Sequence, residues 1–248
     1  MRFRLNEKKH MQTNHVTKVS LKNPMIVFSL ISFSILTSNV ATGISATAAQ
    51  PSAIQADTIK ITAGVPLKPE DISPLLTGER IPVLSLPRSS GEVFDLNKSV
   101  AETPTILVFY RGSWCPYCTL QLSGLQEIEN DLKDLGYQII AISTDSPGNL
   151  SKTMSKEKLS YTLLSDADLK AAKRFGIAYK SPGNYDRFLP ETSGGKNLEK
   201  LLPVPSVFIL NKKGTILFEY INPDITQRLS APLLKAAAAA LRDDASNI

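Results

Sequence analysis

The two cysteines of this 248-residue chain, Cys115 and Cys118, lie three residues apart between a predicted strand and a predicted helix. The apolar run Thr105–Tyr110 precedes them, and apolar side chains at helical spacing follow them as far as Leu135. A helix that begins at Cys115 places this sulfur at its N-terminus, where the macrodipole and free backbone N–H groups favour a thiolate. Cys118 lies on the same helix face, within reach of a disulfide. The junction therefore predicts a redox-active thiol.

The first 48 residues have the three-part pattern of a secretory signal peptide. Six Lys or Arg and one Glu in residues 1–22 precede the apolar stretch Met25–Leu36, and small residues then continue to Ala48 and Ala49. The apolar stretch contains serines and is short for a membrane anchor of about 20 residues. We expect a signal peptide over residues 1–48, cleavage near Ala48 or Ala49, a periplasmic or secreted protein, and no membrane association after cleavage.

The net charge of +5 comes entirely from this leader, because residues 49–248 hold 22 basic and 22 acidic side chains. The charge balance therefore gives no footprint for nucleic acid or for an anionic membrane. About 200 residues are enough for one domain with its own core. We expect a linker over residues 49–67 and one domain over residues 68–248.

The sequence argues against a purely structural disulfide and against a zinc site as the role of the cysteine pair. A disulfide that closes only three residues restrains the unfolded chain little, although an exported protein would tolerate it. Both histidines, His10 and His15, lie in the leader, and two cysteines alone are half of a structural zinc site. The remaining chain thus lacks Ser-His-Asp and Cys-His catalysis. The sequence predicts no metal and no cofactor.

Hydrophobic patterning and turn residues predict the secondary structure. Strands are predicted at 82–86, 92–96, 105–110, 137–143, 161–164, 207–210 and 215–220, with the first two and the last two forming hairpins. Helices are predicted at 115–135, 147–159, 166–175 and 231–241, and 182–195 is predicted to be a polar insertion. This order predicts an α/β fold with a central mixed β-sheet flanked by helices.

Three separated blocks resemble a known family. They are F-Y-R-G-S-W-C-P-Y-C at 109–118, L-P-V-P-S-V-F-I-L at 202–210 and N-P-D-I-T-Q-R-L at 222–229. In this order they resemble the thioredoxin fold over roughly residues 68–242 and, within it, the AhpC/TSA, peroxiredoxin-like family. The resemblance implies a thioredoxin-like fold in which Cys115 attacks a hydroperoxide and becomes a sulfenic acid. It also implies that Cys118 resolves this acid into a disulfide and that a thioredoxin-like protein is the reductant.

Two positions depart from the family pattern. Gly112 stands where the family has a threonine that positions the peroxide, and Pro205 stands where it has an active-site arginine. Pro205 instead matches the proline that faces the C-x-x-C of thioredoxins, which favours a cis bond here over the usual trans form. Arg111 either lowers the thiol pKa or caps the strand, and Trp114 either contacts substrate or is a partly buried aromatic. We take Arg111, Trp114 and Pro205 as candidate substrate-positioning residues.

Three functions are compatible with these residues. The leading hypothesis is an exported peroxiredoxin-like thiol peroxidase that reduces hydrogen peroxide or alkyl hydroperoxides through a Cys115–Cys118 disulfide cycle. The alternative is a thiol–disulfide oxidoreductase that acts on protein disulfides in the cell envelope, since Pro205 matches thioredoxin. Against it, Phe109 replaces the buried carboxylate of thioredoxins. A non-enzymatic thioredoxin-like binding module is third, and the intact cysteine pair argues against it.

Overall fold

The computed structural model describes residues 64–246. The predicted signal peptide, residues 1–48, and most of the predicted linker lie outside the described residues. Those described belong to one structural unit, Gln55–Ile248. No helix between residues 64 and 246 is long and apolar enough to cross a membrane.

The described part of the chain contains nine strands, eight α-helices and two short 3-10 helices, Pro69–Asp71 and Gly183–Tyr185. The strands are β1 (Ser85–Pro87), β2 (Val93–Asp95), β3 (Thr105–Tyr110), β4 (Gln138–Ser143), β5 (Thr162–Ser165), β6 (Ala178–Lys180), β7 (Leu201–Pro203), β8 (Ser206–Leu210) and β9 (Ile216–Ile221). The helices are α1 (Leu96–Glu102), α2 (Pro116–Glu127), α3 (Glu129–Asp134), α4 (Pro147–Glu157), α5 (Lys170–Arg174), α6 (Leu189–Thr192), α7 (Ala231–Ala240) and α8 (Arg242–Ser246).

A five-stranded sheet in the order β5-β4-β3-β8-β9 forms the centre of the fold. Its middle strand, β3, pairs in parallel with β4 and antiparallel with β8. All six residues of β3 are buried, as expected for an apolar strand that is covered on both faces. The predicted α/β fold with a mixed sheet flanked by helices is confirmed. The predicted hairpins are also present, as β1–β2 and β8–β9.

The side chains of β3 alternate between two cores, one on each face of the sheet. Leu107 and Phe109 belong to the first, where the Phe109 ring contacts the rings of Phe175 and Phe208. Tyr110 belongs to the second core, which also contains both cysteines. The cysteine pair therefore lies inside the apolar packing that joins α2 to the sheet.

The prediction of one helix over residues 115–135 was wrong, because the chain forms α2 and α3 with a break at Ile128. Ile128 has φ −104° and ψ 6°, outside the helical range. After the break, the buried Glu129 carboxylate accepts hydrogen bonds from Gln126 (2.7 Å) and Ser160 and pairs with Lys133 (2.7 Å). The apolar spacing continues across the break, so the pattern does not mark this turn.

The helix predicted over residues 166–175 is reduced to α5. Asp166 lies ahead of the helix, where its carboxylate accepts the backbone N–H groups of Ala171 and Ala172 at 2.7 and 2.8 Å. Leu169 has a positive φ of 59°, which a helix cannot include. The carboxylate satisfies N–H groups that the first turn leaves free, so the helix begins after Leu169.

The structure also contains a small sheet that the sequence patterns did not predict. Strands β6 and β7 pair antiparallel and bracket residues 181–200, which include the predicted polar insertion. Asn197 closes this excursion, because its amide exchanges hydrogen bonds of 2.8 and 2.9 Å with the backbone of Leu201. The segment brings Tyr185 and Phe188 against Trp114. A stretch predicted to be a polar insertion thus supplies aromatic rings beside the cysteine pair.

Candidate active site

The cysteine pair lies at the start of α2, directly after β3. Cys115 is the N-cap residue and Pro116 is the first helical residue, a position that needs no N–H donor. The Cys115 carbonyl accepts the N–H groups of Cys118 and Thr119 at 3.0 and 3.1 Å. Cys115 is 2% exposed and Cys118 is fully buried. The structure therefore places the first sulfur at the positive end of the helix, as the sequence predicted.

The two thiols have opposite pKa shifts. A hydrogen bond from Cys118 is the main influence that lowers the pKa of Cys115 to about 5, and the charges of Arg111 and Arg228 act in the same direction against burial. Burial and the neighbouring Cys115 raise the pKa of Cys118 well above its ordinary value. Cys115 is thus the thiolate at neutral pH, while Cys118 holds the proton.

Arg111 follows β3 and is buried beside the first cysteine. Its Nη1 lies 3.8 Å from the Cys115 sulfur. The guanidinium is held between two rings, with centroids 4.9 Å away for Trp114 and 4.5 Å for Tyr185. Its Nε and Nη2 are buried and have no hydrogen-bond partner among residues 64–246. Buried donors without partners are uncommon in folded proteins, which marks this guanidinium as a candidate to bind a small molecule.

A pocket of about 250 Å³ opens over Cys115 and Arg111. Six further side chains line it: Trp114, Pro116, Tyr117, Tyr185, Phe188 and Ile225. Trp114 stacks on Phe188 at 6.4 Å between ring centroids and contacts Tyr185 at 5.2 Å. The pocket combines a thiolate and a guanidinium group with apolar walls. Such a site can hold a small molecule that has a polar end and an apolar remainder.

No cluster of His, Cys, Asp and Glu within residues 64–246 has the make-up of a metal site. The reactive groups that the structure brings together here are thus a pair of thiols and guanidinium groups. This arrangement supports nucleophilic attack by sulfur, followed by disulfide formation between neighbouring cysteines.

The family model of the AhpC/TSA family matches residues 77–218, more than half of the chain. The chain belongs to the AhpC/TSA family. Peroxiredoxin Bcp of Escherichia coli is 37% identical over 106 residues, which cover 43% of this chain and 67% of that protein. A putative peroxiredoxin bcp of Haemophilus influenzae is 28% identical over 146 residues, covering 59% of this chain and 86% of the relative. This chain is accordingly an enzyme of the peroxiredoxin type, a thiol peroxidase.

Solved structures of the family share the fold. Peroxidoxin BcpB of Mycobacterium tuberculosis superposes with a TM-score of 0.55 at 21% identity, covering 69% of this chain and 98% of that one. Peroxiredoxin Q of Xanthomonas campestris has a TM-score of 0.51 at 20% identity and covers 67% and 98% of the two chains. The predicted thioredoxin-like fold is confirmed.

The glycine that departs from the AhpC/TSA pattern is explained by the indole beside it. A Cβ atom at Gly112 would collide with the Trp114 ring, with Cδ1 at 2.9 Å and the indole nitrogen closer still. The indole therefore occupies the space that a threonine side chain at position 112 needs. Gly112 also has a φ of 154°, which L-residues rarely adopt, so both the indole and the backbone oppose threonine at this position.

The peptide bond before Pro205 differs from the expected form. Residues 64–246 contain no cis peptide bond, so the expected cis form before Pro205 is wrong. The chain runs extended from β7 into β8, which the intrinsically favoured trans form allows. Pro205 is buried, does not line the pocket, and accepts the Asn222 N–H at 3.3 Å. Of the three candidate positioning residues, Arg111 and Trp114 line the pocket over Cys115, and Pro205 is not among its lining residues.

Sequence reasoning missed Arg228 as a site residue, although it lies in one of the three family blocks. Arg228 lies in the loop between β9 and α7, and its Nη2 is 3.6 Å from the Cys118 sulfur. The two residues are 110 positions apart, and no local pattern links them. An arginine in a block that also marks the family was the available signal.

Asp145 was also missed. It is fully buried after β4, and its Oδ2 accepts the Ser113 N–H at 2.7 Å and the Ser143 hydroxyl at 3.2 Å. Burial raises the pKa of Asp145 to about 6. The carboxyl group ties the turn that carries Cys115 to the end of the neighbouring strand. Its place directly after a predicted buried strand, parallel to β3, was the signal that pointed to this edge.

Proposed function

We propose that this enzyme is an exported thiol peroxidase that reduces hydrogen peroxide or alkyl hydroperoxides at Cys115. The observation that carries the proposal is the pairing of a thiolate with the Arg111 guanidinium in one small pocket. A hydroperoxide has two adjacent oxygens that accept hydrogen bonds, and it needs a nucleophile in line with them. Arg111 supplies the donors that the absent family threonine and strand arginine would otherwise provide.

In the first step, the Cys115 thiolate attacks the terminal oxygen of the hydroperoxide. An S–O bond forms and the O–O bond breaks, which leaves a sulfenic acid on Cys115. The departing alkoxide or hydroxide takes up a proton and leaves as an alcohol or water. Arg111 stabilises the negative charge on the leaving oxygen, because its donors are fixed between Trp114 and Tyr185 before the substrate arrives.

In the second step, Cys118 condenses with the sulfenic acid to form the Cys115–Cys118 disulfide and water. A dithiol reductant of the thioredoxin kind then restores both thiols by exchange. The two cysteines lie within one turn of α2, so the disulfide requires no approach of distant segments.

The C-x-x-C spacing at a helix start also suits a thiol–disulfide oxidoreductase that acts on protein disulfides. Against that function, Cys115 is buried, and the rings of Trp114, Tyr185 and Phe188 line its pocket. A protein partner, including the thioredoxin-like reductant of the last step, reaches this sulfur only by displacing those rings, whereas a small hydroperoxide can enter the pocket as it stands. The geometry therefore favours a small hydroperoxide as the substrate.

Rapid mixing of the reduced protein with hydrogen peroxide or cumene hydroperoxide tests the proposal. Trp114 is the only tryptophan in the chain and lies beside Cys115, so its fluorescence reports oxidation of that sulfur. We expect oxidation orders of magnitude faster than that of free cysteine, and no signal in Cys115→Ser. A rate like that of free cysteine, together with rapid exchange with a protein disulfide, would instead establish the disulfide oxidoreductase.

Export is proposed from the basic, apolar and small-residue segments of residues 1–48. The test is the mass of the protein recovered from the periplasmic fraction of a host that expresses the whole chain. A mass that matches cleavage near Ala48 or Ala49 supports export. Full-length protein in the cytoplasmic fraction alone contradicts it.

A further inference from the structure

Each sulfur of the cysteine pair has its own guanidinium group. Arg111, at the end of β3, lies 3.8 Å from the Cys115 sulfur, and Arg228, in the loop before α7, lies 3.6 Å from the Cys118 sulfur. Cys118 is fully buried, and burial opposes a charged sulfur there. The second arginine therefore faces the thiol that most needs help to ionise.

The Arg228 guanidinium is anchored so that one of its nitrogens points at sulfur. Its Nη1 donates to the carbonyl oxygens of Ile225 (2.5 Å) and Gln227 (2.7 Å). Its Nη2 makes the contact with Cys118, and its buried Nε has no partner in the described part of the chain. Nη1 alone makes the hydrogen bonds between Arg228 and the carbonyl groups of its loop. The contact of Nη2 with sulfur is therefore not needed to hold the loop.

We propose that Arg228 is a catalytic residue of the resolving step, in which it stabilises the Cys118 thiolate for attack on the Cys115 sulfenic acid. This inference rests on the peroxidase function proposed above. The Cys118 sulfur attacks the Cys115 sulfur, so an S–S bond forms and the S–O bond breaks. Hydroxide leaves and, with the proton that Cys118 released, becomes water. Cys118 sulfur is oxidised and Cys115 sulfur is reduced, so no further oxidant is needed.

The position of Arg228 also gives the two steps their order. In the reduced enzyme, burial and the Cys115 thiolate raise the pKa of Cys118, while the charge of Arg228 lowers it. When Cys115 becomes a neutral sulfenic acid, the repulsion disappears and the attraction to Arg228 remains. Cys118 therefore loses its proton most readily after Cys115 has reacted with peroxide. Cys118 thus stays a protonated, less nucleophilic thiol until Cys115 has been oxidised.

The test separates the two chemical steps in the purified protein. Trp114 fluorescence follows peroxide oxidation, and acid quenching followed by thiol alkylation follows disulfide formation. We expect Arg228→Gln to slow disulfide formation about tenfold or more, because each unit of pKa changes the thiolate fraction tenfold. The peroxide step should change much less, and dimedone should trap more sulfenic acid on Cys115. Arg228→Lys keeps the charge and should retain most of the rate.

A pH profile distinguishes this role from a structural one. In Arg228→Gln, disulfide formation should recover as the pH rises, because a higher pH deprotonates the Cys118 thiol without the help of the arginine. Arg242→Gln, at an exposed position in α8, is the matched loss of one positive charge and should leave both rates unchanged.

Equal slowing of both steps in Arg228→Gln, or slowing that high pH does not relieve, would overturn the role of Arg228. If Arg228→Gln does not fold, Arg228→Lys decides the question, because a tenfold loss of the resolving rate in this variant, which keeps the charge, would contradict a charge effect. Absence of any peroxide-dependent sulfenic acid in the unaltered protein would instead remove the proposed peroxidase function itself.

Discussion

At the scale of single residues, the ionisation of Cys115 controls the reactivity of the site. The pKa of this thiol is lowered to about 5. The thiolate therefore forms above pH 5, and we expect the rate of peroxide reduction to fall as the pH drops through that value. Ultraviolet absorbance of the thiolate in the reduced protein measures the transition, which should be missing in Cys115→Ser. A midpoint near 8.5, as in free cysteine, would contradict the assignment.

Cys118 has two roles that two substitutions separate. Its thiol donates the hydrogen bond that lowers the pKa of Cys115 most, and it also resolves the sulfenic acid. A serine keeps a donor, whereas an alanine does not. We expect Cys118→Ser to retain the low titration midpoint of Cys115 and Cys118→Ala to raise it by about one unit or more. Both variants should react once with peroxide and then accumulate a dimedone-reactive sulfenic acid on Cys115.

Identical titrations of the serine and alanine variants would show that the helix terminus and the arginines alone account for the thiolate. Each variant keeps only one of the two cysteines of the chain, so it cannot form a disulfide within one molecule. Any bridge that appears must therefore join two molecules, and non-reducing electrophoresis detects it.

At the scale of elements, the turn between β3 and α2 is fitted around the Trp114 ring. Gly112→Thr restores the residue usual in the family, but its Cβ collides with the indole. We expect this variant to lose about 1–3 kcal/mol of unfolding free energy, as other overpacked sites do, and to lose peroxide activity as Trp114 is displaced. Thermal or urea unfolding measures the loss. Gly112→Thr combined with Trp114→Ala should recover part of the stability, and additive losses would contradict a direct clash.

The sequence was sufficient to predict the strands and turns that depend on neighbouring residues or on a continuous apolar run. The run of apolar residues in β3 and the turn residues of the two hairpins were sufficient. The break at Ile128 was not predictable, because Glu129 is held by Ser160, which is 31 residues away. The same limit applies to the site. Cys115 and Arg111 are four residues apart and were predicted together, whereas Arg228 reaches Cys118 only through the assembled fold.

At the scale of the whole molecule, buried carboxyl groups shape the dependence of stability on pH. Burial raises the pKa of Asp166 to about 7, and that of Asp145 to about 6. An unfolded Asp titrates near 4, so between pH 4 and 7 the native chain binds more protons than the unfolded chain. The contribution of these groups to stability is therefore complete below pH 4 and is lost as the pH rises to about 7.

We expect the unfolding free energy of Asp166→Asn to depend less on pH than that of the unaltered protein. The difference between the two should change by about 3 kcal/mol from pH 4 to 7. Urea unfolding at several pH values in this range gives the comparison. The lowered pKa of Cys115 makes stability rise with pH above pH 5, which is the opposite effect. This contribution is the same in both proteins, so it cancels in the difference between them. Parallel pH profiles would show that Asp166 stays ionised.

The placement of both sulfurs within one turn of α2 has a mechanical consequence. The Cys118 N–H is bonded to the Cys115 carbonyl at 3.0 Å, and side chains three residues apart on a helix are about 5–6 Å apart at Cβ. A disulfide needs Cβ atoms about 3.5–4.5 Å apart, so closing or opening the bridge requires a shift of about 1–2 Å within this one turn and no movement of distant segments. Immobilisation that stops large motions should leave turnover untouched. A molecule fixed to a solid support should therefore turn over at the rate that it shows in solution.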